Sequence, residues 1–355
     1  MPWLSTLRSS VKFALASFLC GTLVGSCLAA QDEEGATSVG GGGLRDKIRE
    51  RMQGMKSGGK SGETSATQPT QPKSGPGGAE YAHGSVTHSI FGEGNDEFTL
   101  FEPADPRPEV APVIIFLHGW SAMKPEPYQD WINHLVRRGN IVIYPRYQAK
   151  ISTKPGEFTP SAIKAVKSAL VVLDQSDHVH PDREKVAVVG HSMGGILTAN
   201  LAASGGEGLP PIKAAMCVEP GSGGFPITAD YSKIPAGTLL LCIAGDQDKL
   251  VKETKAKDIF SGATSVAKAD KNYILAISDA HGSPPVTANH MAPTDLGGQD
   301  ALHYFGYWKW CDALTDAAFY GKNRNVALGN TAEQRFMGKW SDGVPVAEPK
   351  IEEGN

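Results

Sequence analysis

Residues 185–195 read KVAVVGHSMGG, and this stretch decides the fold of the 355-residue chain. The apolar run VAVV predicts a buried strand, and the residues from Met193 to Ala203 predict a helix. Between the two lies a G-x-S-x-G motif with Ser192 at its centre. A serine in a sharp turn between strand and helix is typical of a nucleophile, and the flanking glycines leave room for its strained backbone. Ser192 is therefore the candidate nucleophile.

Similar strand and helix patterns alternate along the chain on both sides of this motif. Such alternation predicts an α/β fold with a mostly parallel central sheet and helices on both faces. The predicted core strands are residues 113–117, 141–144, 186–189, 214–218, 239–244 and 273–277, with possible antiparallel edge strands at 85–88 and 97–101. The predicted helices are residues 128–138, 161–173, 193–203, 251–260 and 301–319.

The N-terminus resembles an export signal. Two basic residues precede an uncharged apolar stretch at residues 13–30, and its small terminal residues allow cleavage after Ala29 or Ala30. An uncleaved membrane anchor is the alternative, but glycines and serines inside the stretch disfavour it. Residues 23–27, LVGSC, also resemble a bacterial lipobox, in which Cys27 would carry a lipid anchor. We expect an exported protein, periplasmic or extracellular, with no other membrane span.

Composition divides the chain into three parts. Residues 1–30 are the predicted signal peptide. Residues 31–80 are rich in Gly, Ser, Thr, Gln and Pro and contain no Phe, Tyr or Trp, which predicts a flexible tether. Residues 81–355 contain the alternating strand and helix patterns and are predicted to form a folded catalytic domain with a C-terminal extension. No role follows from the sequence of the extension at residues 322–355.

Charge and cysteine usage narrow the possible partners. There are 34 Lys and Arg against 38 Asp and Glu, a net charge of -4, which argues against a nucleic-acid binder. Outside the predicted signal, Cys217, Cys242 and Cys311 match neither a disulfide framework nor a zinc spacing. The first two lie in apolar runs and should be buried. No P-loop or dinucleotide motif is present, so we expect no metal and no cofactor.

Three motifs follow predicted strands and suggest a family. They are HGW at residues 118–120, GHSMGG at 190–195 and GDQD at 245–248. Together they resemble the α/β-hydrolase superfamily, most closely its dienelactone-hydrolase-like and cutinase- or polyester-hydrolase-like branch. The chain departs from dienelactone hydrolases in having Ser192 where they have cysteine. It departs from polyester hydrolases in reading Glu219-Pro220-Gly221 where they typically have a tryptophan. The short connection at residues 219–238 indicates that no large lid domain is present.

The same architecture implies where an oxyanion hole would lie. The turn after strand 113–117 supplies one backbone N–H and the residue after the nucleophile supplies the other. These are the amides of Trp120 and Met193. His118, in the same turn, fits a structural role better than that of a base.

The base must be a histidine that follows the acid, because the superfamily order is Ser, acid, His. His281, His290 and His303 meet this condition. His281 comes soon after the strand 273–277, where the fold places the base, and is the favoured candidate. His290, at the far end of the same loop, and His303, within a predicted helix, are the alternatives.

The acid should follow a strand as well. Asp248 occupies the position of the family pattern G-x-x-D-x-x-V and is favoured. Glu219, at the end of the preceding strand, is the rival, since some hydrolases carry their acid there. Asp246 fits a turn former.

These residues predict an exported serine hydrolase that cleaves carboxylic esters through an acyl-enzyme, with Ser192, Asp248 and His281 as its triad. The substrate would be a small-molecule or polymeric ester. A serine peptidase or thioesterase uses the same chemistry and remains an alternative. A non-catalytic binding protein on a hydrolase scaffold is another, because fold alone does not fix function.

Overall fold

The computed structural model describes residues 65–205 and 207–354. The predicted signal peptide and residues 31–64 of the predicted tether lie outside the described residues. The described part is built on a nine-stranded mixed sheet of order β1-β2-β4-β3-β5-β6-β7-β8-β9. Six neighbouring strands, β4, β3, β5, β6, β7 and β8, are parallel. Strands β1, β2 and β9 run antiparallel to their neighbours. The predicted fold class is confirmed.

The central strands are rich in small and β-branched residues. Their bounds are β1 Ser85–Phe91, β2 Phe98–Ala104, β3 Val110–Leu117, β4 Ile141–Pro145, β5 His180–His191, β6 Ile212–Val218, β7 Leu239–Gly245, β8 Lys271–Ala276 and β9 Lys350–Glu353. Every predicted core strand is therefore present, and the structure extends most of them at their N-terminal ends.

Helices cover both faces of the sheet. Their bounds are α1 Gln129–Arg137, α2 Phe158–Leu173, α3 Met193–Ala203, α4 Thr254–Gly262, α5 Trp308–Tyr320, α6 Arg324–Ala327 and α7 Ala332–Arg335. Helices α2, α3 and α4 pack in one hydrophobic cluster, and α1 and α5 pack in the other. One π-helical turn, His303–Tyr307, precedes α5. Because both faces are covered, the parallel strands are apolar over most of their length.

Residues 65–80, here called the N-terminal arm, were predicted to belong to the flexible tether, and this part of the prediction is wrong. The arm lies against the folded domain: the Ala66 carbonyl accepts a hydrogen bond from the Ser283 amide at 2.9 Å, and the Gly77 amide donates to the buried Asp312 carboxylate at 2.7 Å. The folded domain therefore begins by residue 65 and not at 81. Composition missed this boundary because the arm is fixed by hydrogen bonds to its backbone, which do not require apolar side chains.

The C-terminal extension also packs on the domain. It contributes α6, α7 and the edge strand β9. Trp340 is buried, and its indole N–H donates to the Asp279 carboxylate at 3.0 Å. The Ala347 amide donates to the same carboxylate at 2.9 Å. The extension thus supports the loop that follows β8.

The connection between β6 and β7, all of which the structure describes, contains one 3-10 turn at Tyr231–Lys233 and no inserted lid. No helix within the described ranges is long and apolar enough to cross a bilayer. Cys217 and Cys242 are buried free thiols, as their apolar surroundings predicted, and Cys311 is buried as well.

Candidate active site

Ser192 lies in the turn between β5 and α3, with a strained backbone. Its φ is 58° and its ψ is -118°, a region that residues with a side chain rarely occupy. Two glycines make the turn possible. A Cβ on Gly190 would lie 2.3 Å from the Gly194 carbonyl oxygen, and a Cβ on Gly194 would lie 2.0 Å from that of Leu117. The glycines of the motif are therefore required by close backbone approach, as well as by the turn itself.

Ser192 begins a hydrogen-bonded chain of three side chains. Its hydroxyl donates to Nε2 of His290 at 2.9 Å, and Nδ1 of His290 donates to Oδ2 of Asp248 at 2.8 Å. Because a carboxylate can only accept, the proton of the neutral imidazole lies on Nδ1 and leaves Nε2 free to receive the serine proton. Such an arrangement can activate the hydroxyl as a nucleophile.

Asp248 is held as the charged end of this chain. Its Oδ1 accepts the amides of Leu250 and Val251 at 2.9 and 3.0 Å. Burial acts to raise the pKa of Asp248, but the hydrogen bonds from His290 and from these amides outweigh it, and the pKa lies below its usual value. The predicted position of the acid at the end of β7 therefore gives a carboxylate that can stabilise an imidazolium.

His281 does not lie beside Ser192, so the prediction that it is the histidine between Ser192 and Asp248 is wrong. Its side chain is on the surface, and its Nε2 lies 2.7 Å from the carboxylate of Asp342 in the C-terminal extension. His290, the alternative in the same loop, takes the position instead. His303 packs at the start of the π-helical turn and bonds to Asp300 at 2.9 Å.

The path of the loop after β8 explains the difference. Asp279 and Val286 form an antiparallel bridge, so the loop runs outward past His281 and then returns. On the return, the Ala288 carbonyl accepts the Gln247 amide at 3.0 Å, which brings the following residues to the end of β7. Ser-Pro-Pro at residues 283–285 was the available signal of this reversal, because such sequences favour turns.

The backbone amides of Trp120 and Met193 are the predicted donors to an oxyanion at Ser192. Within the ranges that the structure describes, neither the Trp120 nor the Met193 N–H donates a hydrogen bond to the protein. Met193 is the first residue of α3, so its N–H has no partner inside the helix. The turn with Trp120 runs beside the nucleophile, because a Cβ on Gly119 would lie 3.4 Å from Cβ of Ser192. Both amides are thus available to a ligand at Ser192.

His191 connects this turn to the base. Tyr128 Oη accepts the Gly119 amide at 3.0 Å and donates to Nδ1 of His191 at 2.9 Å. Nε2 of His191 donates to the His290 carbonyl at 2.8 Å and therefore carries the proton. Burial, followed by the neighbouring His290, lowers the pKa of His191 to about 3, so the ring stays neutral. These hydrogen bonds join the turn that contains Gly119 and Trp120 to the backbone of His290.

We expect Tyr128→Phe to lower kcat by about 10-fold, because the buried Gly119 amide and Nδ1 of His191 both lose their hydrogen-bond partner. The geometry predicts a smaller change in KM, since the Tyr128 hydroxyl is engaged with the protein and not with the space above Ser192. Tyr273→Phe is the matched control, because it removes a hydroxyl bonded to Glu253, away from the site. Steady-state kinetics of both variants test this expectation, and equal losses would contradict it.

Glu219, the rival acid, lies beside His290 and His191 and is not hydrogen-bonded to either ring. Its Oε2 is 3.6 Å from Nδ1 of His290 and 3.7 Å from Nε2 of His191. These three residues could hold a metal ion, since their ligand atoms lie within 4.8 Å of one another. However, both ring nitrogens already donate, to Asp248 and to a backbone carbonyl. A cation there would have to break the hydrogen bonds that align the base.

The sheet order, the strained serine turn, and the acid and histidine after the later strands define an α/β hydrolase. The chain has the α/β-hydrolase fold that its strand-end motifs implied. Residues 100–229 match the family model described as chlorophyllase, rather more than a third of the chain. That segment contains Ser192 but ends before Asp248 and His290. No curated protein matches the chain. The match supports a hydrolase of the esterase type.

Proposed function

We propose that the protein hydrolyses carboxylic esters through an acyl-enzyme, with Ser192 as nucleophile, His290 as general base and acid, and Asp248 as the charge partner of His290. The observation that carries the proposal is the continuous hydrogen-bonded chain from the Ser192 hydroxyl to the Asp248 carboxylate. The chlorophyllase match supports the ester class, and its segment includes the nucleophile.

Each residue then has one task in the reaction. Ser192 Oγ attacks the ester carbonyl carbon while its proton passes to Nε2 of His290. The oxygen of the tetrahedral intermediate gains negative charge and accepts hydrogen bonds from the amides of Trp120 and Met193. Asp248 stabilises the imidazolium. His290 returns the proton to the leaving alkoxide, the C–O bond breaks, and an acyl-enzyme forms.

Deacylation repeats these steps with water. His290 takes a proton from water, the resulting hydroxide attacks the acyl carbon, and the bond to Ser192 Oγ breaks. The proton returns to Oγ, so the acid product and the free enzyme are formed. Because His191 and His118 are buried with pKa values lowered to about 3 and about 4, they stay neutral beside the reacting groups. A lowered pKa makes an imidazole a weak proton acceptor, so neither ring is an effective general base.

A panel of p-nitrophenyl esters, matched anilides and thioesters tests the reaction class with the full chain. We expect esters to be cleaved with the highest kcat/KM. We also expect a brief incubation with a fluorophosphonate to block turnover and to add its mass to the peptide that contains Ser192. Faster cleavage of anilides would identify a peptidase. The absence of both turnover and labelling would favour the non-catalytic alternative.

A further inference from the structure

Glu219 is a second carboxyl group that faces the base. Its side chain is completely buried, and Oε1 accepts the hydroxyl of Tyr307 at 2.9 Å. Oε2 has no hydrogen-bond partner among the described residues. It lies 3.6 Å from Nδ1 of His290, the same nitrogen that donates to Asp248 at 2.8 Å. Two carboxyl groups therefore compete for one imidazole nitrogen, and the geometry favours Asp248.

The backbone fixes Glu219 in this position. Its φ is 44°, in the left-handed region that residues with a side chain seldom adopt. Its N–H donates to the Ile243 carbonyl of β7 at 2.7 Å, so the strained residue is tied to the neighbouring strand. An unpartnered buried carboxyl oxygen and a strained backbone both destabilise the folded state. Since packing alone needs neither feature, they indicate that the group acts on the site.

The surroundings of Glu219 decide its charge. Five titratable groups around the site interact with it: Tyr128, His191, Asp248, His290 and Tyr307. Burial, followed by the negative charge of Asp248, raises the pKa of Glu219 well above its usual value. His191 is neutral and offers no compensating charge. Burial and the nearby Asp248 thus favour the protonated form of Glu219, whereas the hydrogen bonds to Asp248 favour its charged form.

Resting on the proposed function, we propose that Glu219 is a positioning residue of His290 whose carboxyl group becomes the charge partner of the imidazole when the Asp248 carboxylate is absent. Its Oε2 needs to approach Nδ1 by less than about 1 Å to form a hydrogen bond. Removing the Asp248 side chain leaves space for that movement. It also removes the like charge that adds to the effect of burial in raising the pKa of Glu219, so Glu219 ionises more readily beside the imidazolium and can stabilise it.

The test compares D248A, E219Q and the double variant D248A/E219Q. D248A should keep a residual kcat that is about 10-fold above that of the double variant, because contacting residues in one network are coupled. The ratio of these two kcat values should grow as the pH rises, since Glu219 loses its proton whereas the glutamine amide of E219Q does not titrate. A purely structural role would give a ratio that does not depend on pH. E219Q alone should lower kcat far less than D248A.

A matched background sharpens the result. The asparagine of D248N fills the space that the alanine of D248A leaves open, so adding E219Q to D248N should change kcat much less than adding it to D248A. Thermal unfolding of each variant checks that the fold is retained. Equal kcat values and equal pH profiles for D248A and the double variant would overturn the inference. Failure of the proposed function would give a different result. If Ser192 is not the nucleophile, the residual activity of D248A would survive the addition of S192A to that variant.

Discussion

Replacing Ser192 with alanine should lower kcat for p-nitrophenyl esters by about 10⁶-fold, the scale of loss when a triad serine is removed. The reason is that Ser192 Oγ is the atom placed 2.9 Å from the free nitrogen of His290. Without it the amides of Trp120 and Met193 remain, but no acyl-enzyme can form. Water attack assisted by the remaining groups would account for the residual rate.

The control for this variant is Ser204→Ala, at the other end of α3. The Ser204 hydroxyl donates to the Leu201 carbonyl and lies outside the proposed machinery. We expect S204A to retain its kcat and S192A to retain its unfolding temperature. A small effect of S192A on kcat, with the fold intact, would remove Ser192 from the reaction.

His290→Ala should cost about as much as the loss of Ser192, because residues of a triad act as a unit. Among the described residues, the imidazole is the only side chain hydrogen-bonded to the side chains of both Ser192 and Asp248. Its loss leaves the serine hydroxyl without a base and the buried Asp248 carboxylate without its partner. Kinetics at saturating ester, together with a thermal unfolding curve, measure the two consequences separately.

His281→Ala is the matched control, since His281 belongs to the same loop. Its hydrogen bond with Asp342 lies on the surface, and exposed contacts between such side chains contribute little to stability. We expect H281A to keep nearly the full kcat. The opposite ranking of the two histidine variants would restore the assignment that strand position alone favoured.

The strand–turn–helix around Ser192 shows why so much of the fold could be predicted from sequence. Helix α3 begins and ends at the predicted residues, because G-x-S-x-G fixes its start and the apolar run of β5 fixes the strand before it. The position of Asp248 beside the site could be predicted for the same reason, because it follows directly on the end of β7. Local patterns are informative wherever one short segment determines its own geometry.

The assignment of the base failed where geometry depends on distant segments. Distance along the chain favoured His281, but the bridge between Asp279 and Val286 turns the loop back towards β7. That bridge is supported by Trp340, about sixty residues further on, and sequence patterns do not report such contacts. For the same reason the sequence could name Asp248 and Glu219 as rivals but could not say which oxygen meets the imidazole.

The N-terminal arm makes the alignment of His290 depend on a segment that touches no reacting atom. The Gln68 side chain donates to the carbonyls of Pro284 and Pro285 at 3.0 and 3.1 Å and accepts the Ala301 amide at 3.0 Å. One glutamine thus ties together the two flanks of the histidine-bearing loop. Local opening of that loop requires these bonds to break, so its amides should exchange slowly with solvent deuterium. We therefore expect proteolytic cleavage within the arm to lower the proposed activity without touching the site.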